Sequence, residues 1–523
     1  MKKIKFILTS FVAVFFLSCH DLEVPVENAL TSSNFPIRTE HFIQASGPTY
    51  TNFRGSIALS YWFLQSLSTD ESILPARGGN WYDGARYFQL HQHNWNPDNG
   101  QIDGTWNWIT GTITTINQNI AVVETAPESP AKLQGLAELK AMRAIAYWIM
   151  LDLWGNVPLL TKFGVTEKPT TTPKKDIYAF IEKEVLEAIP NLSGDVNAAT
   201  YGRPTKFVGY ALLAKLYINS EVYIGQKRYD DVVKMCDIII GSKKFALESN
   251  FAKVFDIDNG PQIKETIFAV PFDNIAGGQF LARYYLHRAM RAKYEIPFTP
   301  SGAISVQEEF LVNFNEEDDV RTKMLLKGKQ YLNNGAPIII KTTKRGFDQD
   351  YKEADASAAI DYHLELVPKL EYRNLAAFDL GNDEKAWAQG FRYAKFFPDK
   401  TSTTRNQGND FPFFRYSDVL LMKAEAIMRG AAATNGDTPL AIVNTLRKIR
   451  NASELKELNL DIMLAERGRE FCNENWRRND LIRFGKFEGK WGLKTDTDPN
   501  KRLYPIPRNI LNINPKLTQN PGY

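Results

Sequence analysis

Cysteine is nearly absent: 523 residues carry three, Cys19, Cys236 and Cys472. That excludes a disulfide-stapled scaffold, so stability must come from buried apolar area, which a chain of this length can supply as one large domain or several smaller ones. Histidine is scarce at six residues. His91 and His93 lie two apart and could share a strand face as metal ligands, but no third ligand follows at a metal-binding spacing, which favours a hydrogen-bonding role. Excess charge of one sign is also missing. The formal net charge is +3, three lysines fall within residues 1–18, and without that segment the balance is neutral. No long Lys/Arg run offers a footprint for phosphate backbones or anionic lipid, which argues against nucleic acid as a partner. No zinc-protease H-E-x-x-H, nucleophile-elbow G-x-S-x-G, phosphate-loop G-x-x-x-x-G-K or strand-to-helix G-x-G-x-x-G occurs, and no cofactor is implied.

The chain opens on Met1-Lys2-Lys3-Ile4-Lys5, a basic stretch, followed by apolar Phe6 to Leu17. That run is too short for a bilayer, which needs ~20 residues, and reads as an export signal over residues 1–18. Phe16-Leu17-Ser18-Cys19 resembles a bacterial lipoprotein box, with Phe16 where Leu is usual. The resemblance makes Cys19 the acylated first residue of the mature chain, anchored by lipid without a transmembrane helix. Residues 19–36, rich in Pro, Asn, Ser and acidic side chains, suit an extended tether. Cys236, among Val232, Val233, Met235, Ile239 and Ile240, reads as an inert buried thiol.

Apolar residues recur at three- and four-residue spacing over Glu40–Leu67, Trp106–Glu124, Ala131–Leu153, Asp176–Ile189, Lys206–Tyr223, Tyr229–Ile240, Ser417–Met428, Pro439–Ile449 and Asp461–Trp476. Ala211 and Ala214 beside Tyr217 permit close helix approach of the tetratricopeptide kind. Thr69–Gly104 breaks the pattern with Gly78-Gly79, Asp83-Gly84 and Asn96-Pro97, and a connection of that length is usually functional or disordered. Over 246–411 only short strand-like runs emerge, at Thr266–Pro271 and Pro337–Lys341. The sequence therefore predicts one mostly α domain over 37–523. Helical repeats from about 40–67, 104–245 and 412–480 are expected to pack together, with an irregular, loop-rich insertion over 246–411 on one face.

Two clusters bear on chemistry. Glu466, Glu470 and Glu474 fall at i, i+4 and i+8 among Arg467, Arg469, Arg477 and Arg478, which reads as a solvated or half-buried ion-pair network in preference to a glycosidase carboxylate pair. Trp81, Tyr82, Tyr87, Phe88, Trp95, Trp106 and Trp108 put seven aromatics into 28 residues, a quarter of the segment against 12% of the chain. Flat amphipathic rings can stack on the C–H faces of sugars, while Asp, Asn and Arg bond hydroxyls. Trp106 and Trp108, within a helical pattern, are expected in the core; Trp81, in a glycine-rich loop, admits either role.

Several stretches resemble one family, the SusD/RagB outer-membrane nutrient-uptake lipoproteins. They are Thr69-Asp70-Glu71 with Arg77 to Gly84 and His91 to Trp95; Ile304 to Arg321, with Phe310, Asp318, Asp319 and Arg321; Glu466 to Glu470 and Arg478 to Gly485; and the closing run from Leu503-Tyr504-Pro505 to Asn520-Pro521-Gly522-Tyr523. The resemblance implies a mostly α fold of four tetratricopeptide-like hairpins forming a cradle, a variable face on the loop-rich 246–411 insertion that holds glycan in a shallow aromatic site, a surface position at the outer membrane, and a SusC-like TonB-dependent transporter to which captured oligosaccharide is delivered. Carried over by motif position, Asp70, Arg77, Trp81 and Tyr82 are the first ligand-binding candidates. Tyr284 and Tyr285, after Ala276-Gly277-Gly278, are further candidates, with core packing as the open alternative. No catalytic residue is implied. A glycoside-cleaving enzyme and a protein-only helical scaffold remain the competing readings, and a structural calcium is left open.

Overall fold

A computed structural model describes residues 35–344 and 355–523. The leader, Cys19 and nearly all of the 19–36 tether lie outside the described residues.

Helix boundaries follow local chemistry. The helix Pro130–Trp154 starts where Ser129 accepts from Lys132 N–H with Pro130 in the first turn, and stops at Gly155, whose φ is 69°. Asn99 caps Gly100–Glu124 by accepting from Gln101 N–H. In chain order the helices used below are α1 (Thr39–Ile57), α2 (Ser60–Ser66), α3 (Arg86–Gln92), α4 (Gly100–Glu124), α5 (Pro130–Trp154), α6 (Lys174–Ala188), α7 (Lys206–Ile218), α8 (Tyr229–Gly241), α9 (Leu281–Tyr285), α10 (Tyr416–Met428), α11 (Pro439–Ile449), α12 (Leu460–Phe471) and α13 (Arg477–Arg483). Helix α1 packs on α4, α5 on α6, α7 on α8, and α10 on α11. Contacts of α4 with α5, α6 with α7, and α8 with α10 join these four pairs into one stack. The fold is mostly α and tetratricopeptide-like, as the periodicity predicts.

Three boundaries differ from the sequence reading. The stretch 40–67 is two helices, broken at Ala58–Leu59. The 69–104 connection holds α3. Helix α12 ends at Phe471 because Asn473 and Asn475 take φ of 64° and 68°, a region Asn tolerates better than most residues.

Between α8 and α10 the chain forms short strands: β1 (Ser72–Ile73), from the connection after α2, pairs antiparallel with β3 (Ser305–Val306), and β4 (Ile339–Lys344) with β5 (Asp355–His363). Strand β2 (Thr266–Val270) pairs with β6 (Phe411–Arg415), joining the two ends of the irregular region, with Phe411 opposite Val270 and Arg415 opposite Thr266.

Where this region meets the helices, charges are buried together. Arg415 bonds Glu470 at 2.8 Å and Glu474 at 2.6 Å, Arg450 bonds Glu265 at 2.7 Å, and Arg321 bonds Glu466 at 2.7 Å. Lys395 is paired with Glu474. Glu466, Glu470 and Glu474 are buried, which corrects the expectation of a solvated or half-buried network. Their partners come from segments far apart in sequence, so the charges are neutralised only when the whole fold closes.

Candidate functional site

The connection from β1 to α3 leaves ordinary backbone space repeatedly. Gly78, Gly79, Trp81, Asp83, Gly84 and Ala85 have φ of 61°, 78°, 70°, 45°, 68° and 64°. Three are not glycine, and each such residue carries a local cost of roughly 1–2 kcal/mol that the surroundings must offset. The offset begins with Asp379, which is buried and accepts from the N–H groups of Gly78 at 2.9 Å, Gly79 at 2.6 Å and Gly381 at 2.7 Å. Gly78 is obligatory here, since a Cβ at this position would lie 2.4 Å from the Asn382 side chain. The loop presents Tyr82, 40% exposed, beside a half-buried Trp81.

Trp81 meets Tyr284 of α9 edge-on, with ring centroids 5.5 Å apart, and Tyr284 in turn meets Phe280 at 6.5 Å. Behind them Phe63 packs on both Tyr284 and Tyr87. Arg283 lies over Tyr284 at 5.4 Å and over Phe280 at 5.8 Å, and Asp83 pairs with Arg86 at 3.0 Å. The result is a row, Tyr82, Trp81, Tyr284 and Phe280, flanked by polar and charged groups. Such a surface can stack on an apolar ring face and bond the groups at its rim. Cavities of about 220 Å³ beside Asp152 and Asn520, and about 320 Å³ beside Tyr147 and Phe163, share no residue with it.

The structure separates the six predicted ligand contacts. Trp81, Tyr82 and Tyr284 come together, although Tyr284 is 8% exposed and contributes an edge. Asp70 does not join them: its carboxylate takes two bonds from Arg477, at 2.7 and 2.6 Å. Arg77 is fully buried, donating to Ser305 Oγ at 2.9 Å, to Gln389 O at 3.0 Å and to Ala386 O, and burial lowers its pKa to about 10. Tyr285 is also buried and donates its hydroxyl to Phe396 O. These three are corrections, because protein groups engage each side chain away from the row, although Nε of Arg77 is left without a partner among the described residues. Phe280, Arg283, Asp83 and Arg86 are not among the predicted ligand contacts; Asp83-Gly84 enters as a turn and as part of the Arg77 to Gly84 signature, and nothing local marks the others.

The remaining candidates resolve as packing. Trp95 and Trp106 are buried, with Trp95 Nε1 donating to Tyr523 at 2.6 Å, whereas Trp108 is half-buried and donates to Asn52 O. His91 and His93 share no strand: His91 is in α3 and His93 follows its end. Nε2 of His91 accepts from Leu493 N–H at 3.0 Å, and burial lowers its pKa to about 3. His93 Nε2 lies 2.8 Å from Ser68 O. Among the described residues no cluster of three or more His, Cys, Asp or Glu is arranged to hold a metal ion. Cys236 and Cys472 are buried free thiols, each with its pKa pushed up by burial.

Comparison with known proteins decides the lineage. Residues 264–523 match the model of the SusD family, and residues 64–218 match a second model described as starch-binding associating with outer membrane. The chain belongs to the SusD family. The starch-binding protein SusD of Bacteroides thetaiotaomicron is 25% identical over 503 residues, covering 87% of this chain and 84% of SusD. A SusD superfamily structure from Parabacteroides distasonis aligns with a TM-score of 0.71 at 21% identity, over 95% of this chain and all of that one. Surface glycan-binding protein A of B. thetaiotaomicron, solved with laminarihexaose, aligns with a TM-score of 0.69 at 19% identity, over 92% and 99%. These two likenesses show the shared fold.

Proposed function

We propose that this SusD-like chain is a cell-surface lipoprotein that captures oligosaccharide on the Tyr82–Trp81–Tyr284–Phe280 row and delivers it to a SusC-like TonB-dependent transporter. The observation that carries this reading is the loop 77–85, where strained backbone holds an exposed Tyr and a half-buried Trp against a second aromatic segment. Strained backbone of this kind clusters at binding and active sites, where the surrounding structure offsets its cost. The names of SusD and of the laminarihexaose complex support a glycan as ligand. Binding without cleavage fits the row, because its carboxylate, Asp83, is ion-paired with Arg86, whereas glycoside cleavage needs two carboxyl groups flanking the bond. Glu466 is unsuited to that role: burial alone would raise its pKa, but Arg321, Arg469 and Arg447 hold it down at about 2.

Calorimetric titration of the purified protein against a panel of oligosaccharides, with product analysis of the same mixtures, tests the reading. Heat of binding without products supports it, and released sugars sink it. No described helix is long and apolar enough to cross a membrane, and the proposed membrane association rests on Cys19. Cys19→Ala should leave a folded protein that no longer fractionates with membranes; unchanged retention counts against lipidation.

A further inference from the structure

Around the aromatic row, cations and anions nearly cancel, and the exception is informative. Arg86 is matched by Asp83 at 3.0 Å, and Arg288, which lies over Trp387, is matched by Glu384 at 2.9 Å. Arg77 is buried below the loop and bonded to protein oxygens. Arg283 has no carboxylate within 4.0 Å among the described residues, yet it is the cation that touches the row, over both Tyr284 and Phe280.

Its geometry is fixed. Ser301 N–H donates to Arg283 O at 2.8 Å, and Arg283 Nε donates to Ser301 Oγ at 3.2 Å, so one residue holds both its main chain and its guanidinium. The following residue, Tyr284, accepts at its carbonyl from Ile304 N–H at 3.0 Å. With Nε engaged and one face on aromatic rings, the two terminal nitrogens make no hydrogen bond to a described residue and the side chain stays half-buried. A guanidinium held in this way offers a planar pair of N–H donors, and it matches the two oxygens of a carboxylate or sulfate better than one hydroxyl.

We propose that the row takes an acidic glycan, one bearing carboxylate or sulfate groups, and that Arg283 receives the anionic group while Trp81 and Tyr82 stack on a neighbouring ring. This rests on the reading of the row as the glycan site. The remaining charges suit it, because Asp83 is held by Arg86 while Arg283 has no carboxylate partner among the described residues.

The test titrates wild type, Trp81→Ala, Arg283→Gln and Arg283→Lys with an oligogalacturonide, a sulfated oligosaccharide, and neutral malto-, cello- and laminari-oligosaccharides of similar length. The expected result is binding of one of the anionic ligands, weakened by salt, reduced severalfold by Trp81→Ala and roughly tenfold or more by Arg283→Gln, with partial recovery in Arg283→Lys. Which anionic ligand binds separates carboxylate from sulfate. Circular dichroism and melting curves report whether each variant is folded, and Arg283→Lys, which keeps the charge, supplies a second comparison. If neutral oligosaccharides bind in a Trp81-dependent way and anionic ones bind no better, the acidic-glycan inference falls while the row keeps its role. If nothing in the panel binds, or Trp81→Ala leaves binding unchanged, both fall.

Discussion

Trp81 combines two properties that seldom coincide in a core residue, a left-handed backbone and a half-buried ring. Trp81→Ala should therefore remove a stacking face worth about 0.5–1.5 kcal/mol, weakening glycan affinity severalfold to more than tenfold while melting changes little. A core tryptophan would instead cost roughly 3–5 kcal/mol of stability, so a collapse in melting temperature on the same variant removes Trp81 from the site. Its neighbours Asp70 and Arg77 show why residue roles were only half legible. A motif specifies residue types at a spacing, but whether an Arg beside two glycines points to solvent or to the carbonyls of Gln389 and Ala386 depends on a segment some 300 residues away. Glu71 was likewise invisible as a titrating group: it is buried, accepts from Asn473 N–H at 3.1 Å, and burial raises its pKa to about 7. A carboxyl whose folded pKa lies above its unfolded value, near 4.3, is destabilising once pH rises through that interval, because folding then opposes ionisation. Glu71→Gln keeps the acceptor and removes the charge. It should raise the melting temperature at pH 8, by a free energy on the order of 3 kcal/mol, and change little at pH 4; equal effects at both pH values would refute the assignment.

At the scale of elements, the helices were legible because their signals are local. Ser129-Pro130 and Gly155 bracket α5, and Thr438 with Pro439 opens α11, so boundaries there follow from capping chemistry alone. The connection 69–104 and the region 246–411 were legible only as departures from periodicity, since their form depends on pairings such as Ser72 with Val306 and Gly78 with Asp379, which leave no local pattern. Asp379 is the clearest case. It supplies both carboxylate oxygens to three backbone amides, two on the aromatic loop and one at Gly381. Asp379→Ala leaves those N–H groups without their acceptor, at about 1–3 kcal/mol for the buried Gly381 amide and less for those of Gly78 and Gly79, which water can reach. The loop should loosen before the helical stack does. Fluorine NMR of 5-fluorotryptophan-labelled protein, with the Trp81 signal assigned by Trp81→Phe, should show that resonance shifted or broadened while those of buried Trp148 and Trp154 stay in place. An unmoved Trp81 signal would mean that the loop is held by other contacts.

For the molecule as a whole, the buried charges join parts of the chain that no single element connects. Glu470 of α12 meets Arg415 at the end of β6, Arg450 after α11 and Arg321 in the irregular region, while Arg415 and Arg450 share Glu265 beside β2. Burial alone would raise the Glu470 pKa, but Arg450 and Arg415 hold it well below the usual carboxylate range, and Glu466 and Asp480 sit at about 2 for the same kind of reason. Carboxylates depressed in the folded state contribute stability above their unfolded pKa and lose it as pH falls through the folded value. Melting temperature should therefore not fall between neutral pH and about 5, where protonation of Glu71 adds stability, and should fall steeply between pH 4 and 2. Glu470→Gln keeps the shape of the side chain but leaves three buried guanidinium groups short of one negative charge, which should cost about 3–5 kcal/mol at pH 7. The same variant has one fewer depressed carboxylate to protonate, so its melting temperature should fall less than that of wild type between pH 4 and 2. Thermal unfolding of both proteins across pH 2–7 measures the two effects together: a variant as stable as wild type at pH 7, or one that loses as much on acidification, would show that Glu470 is not a joint of the network.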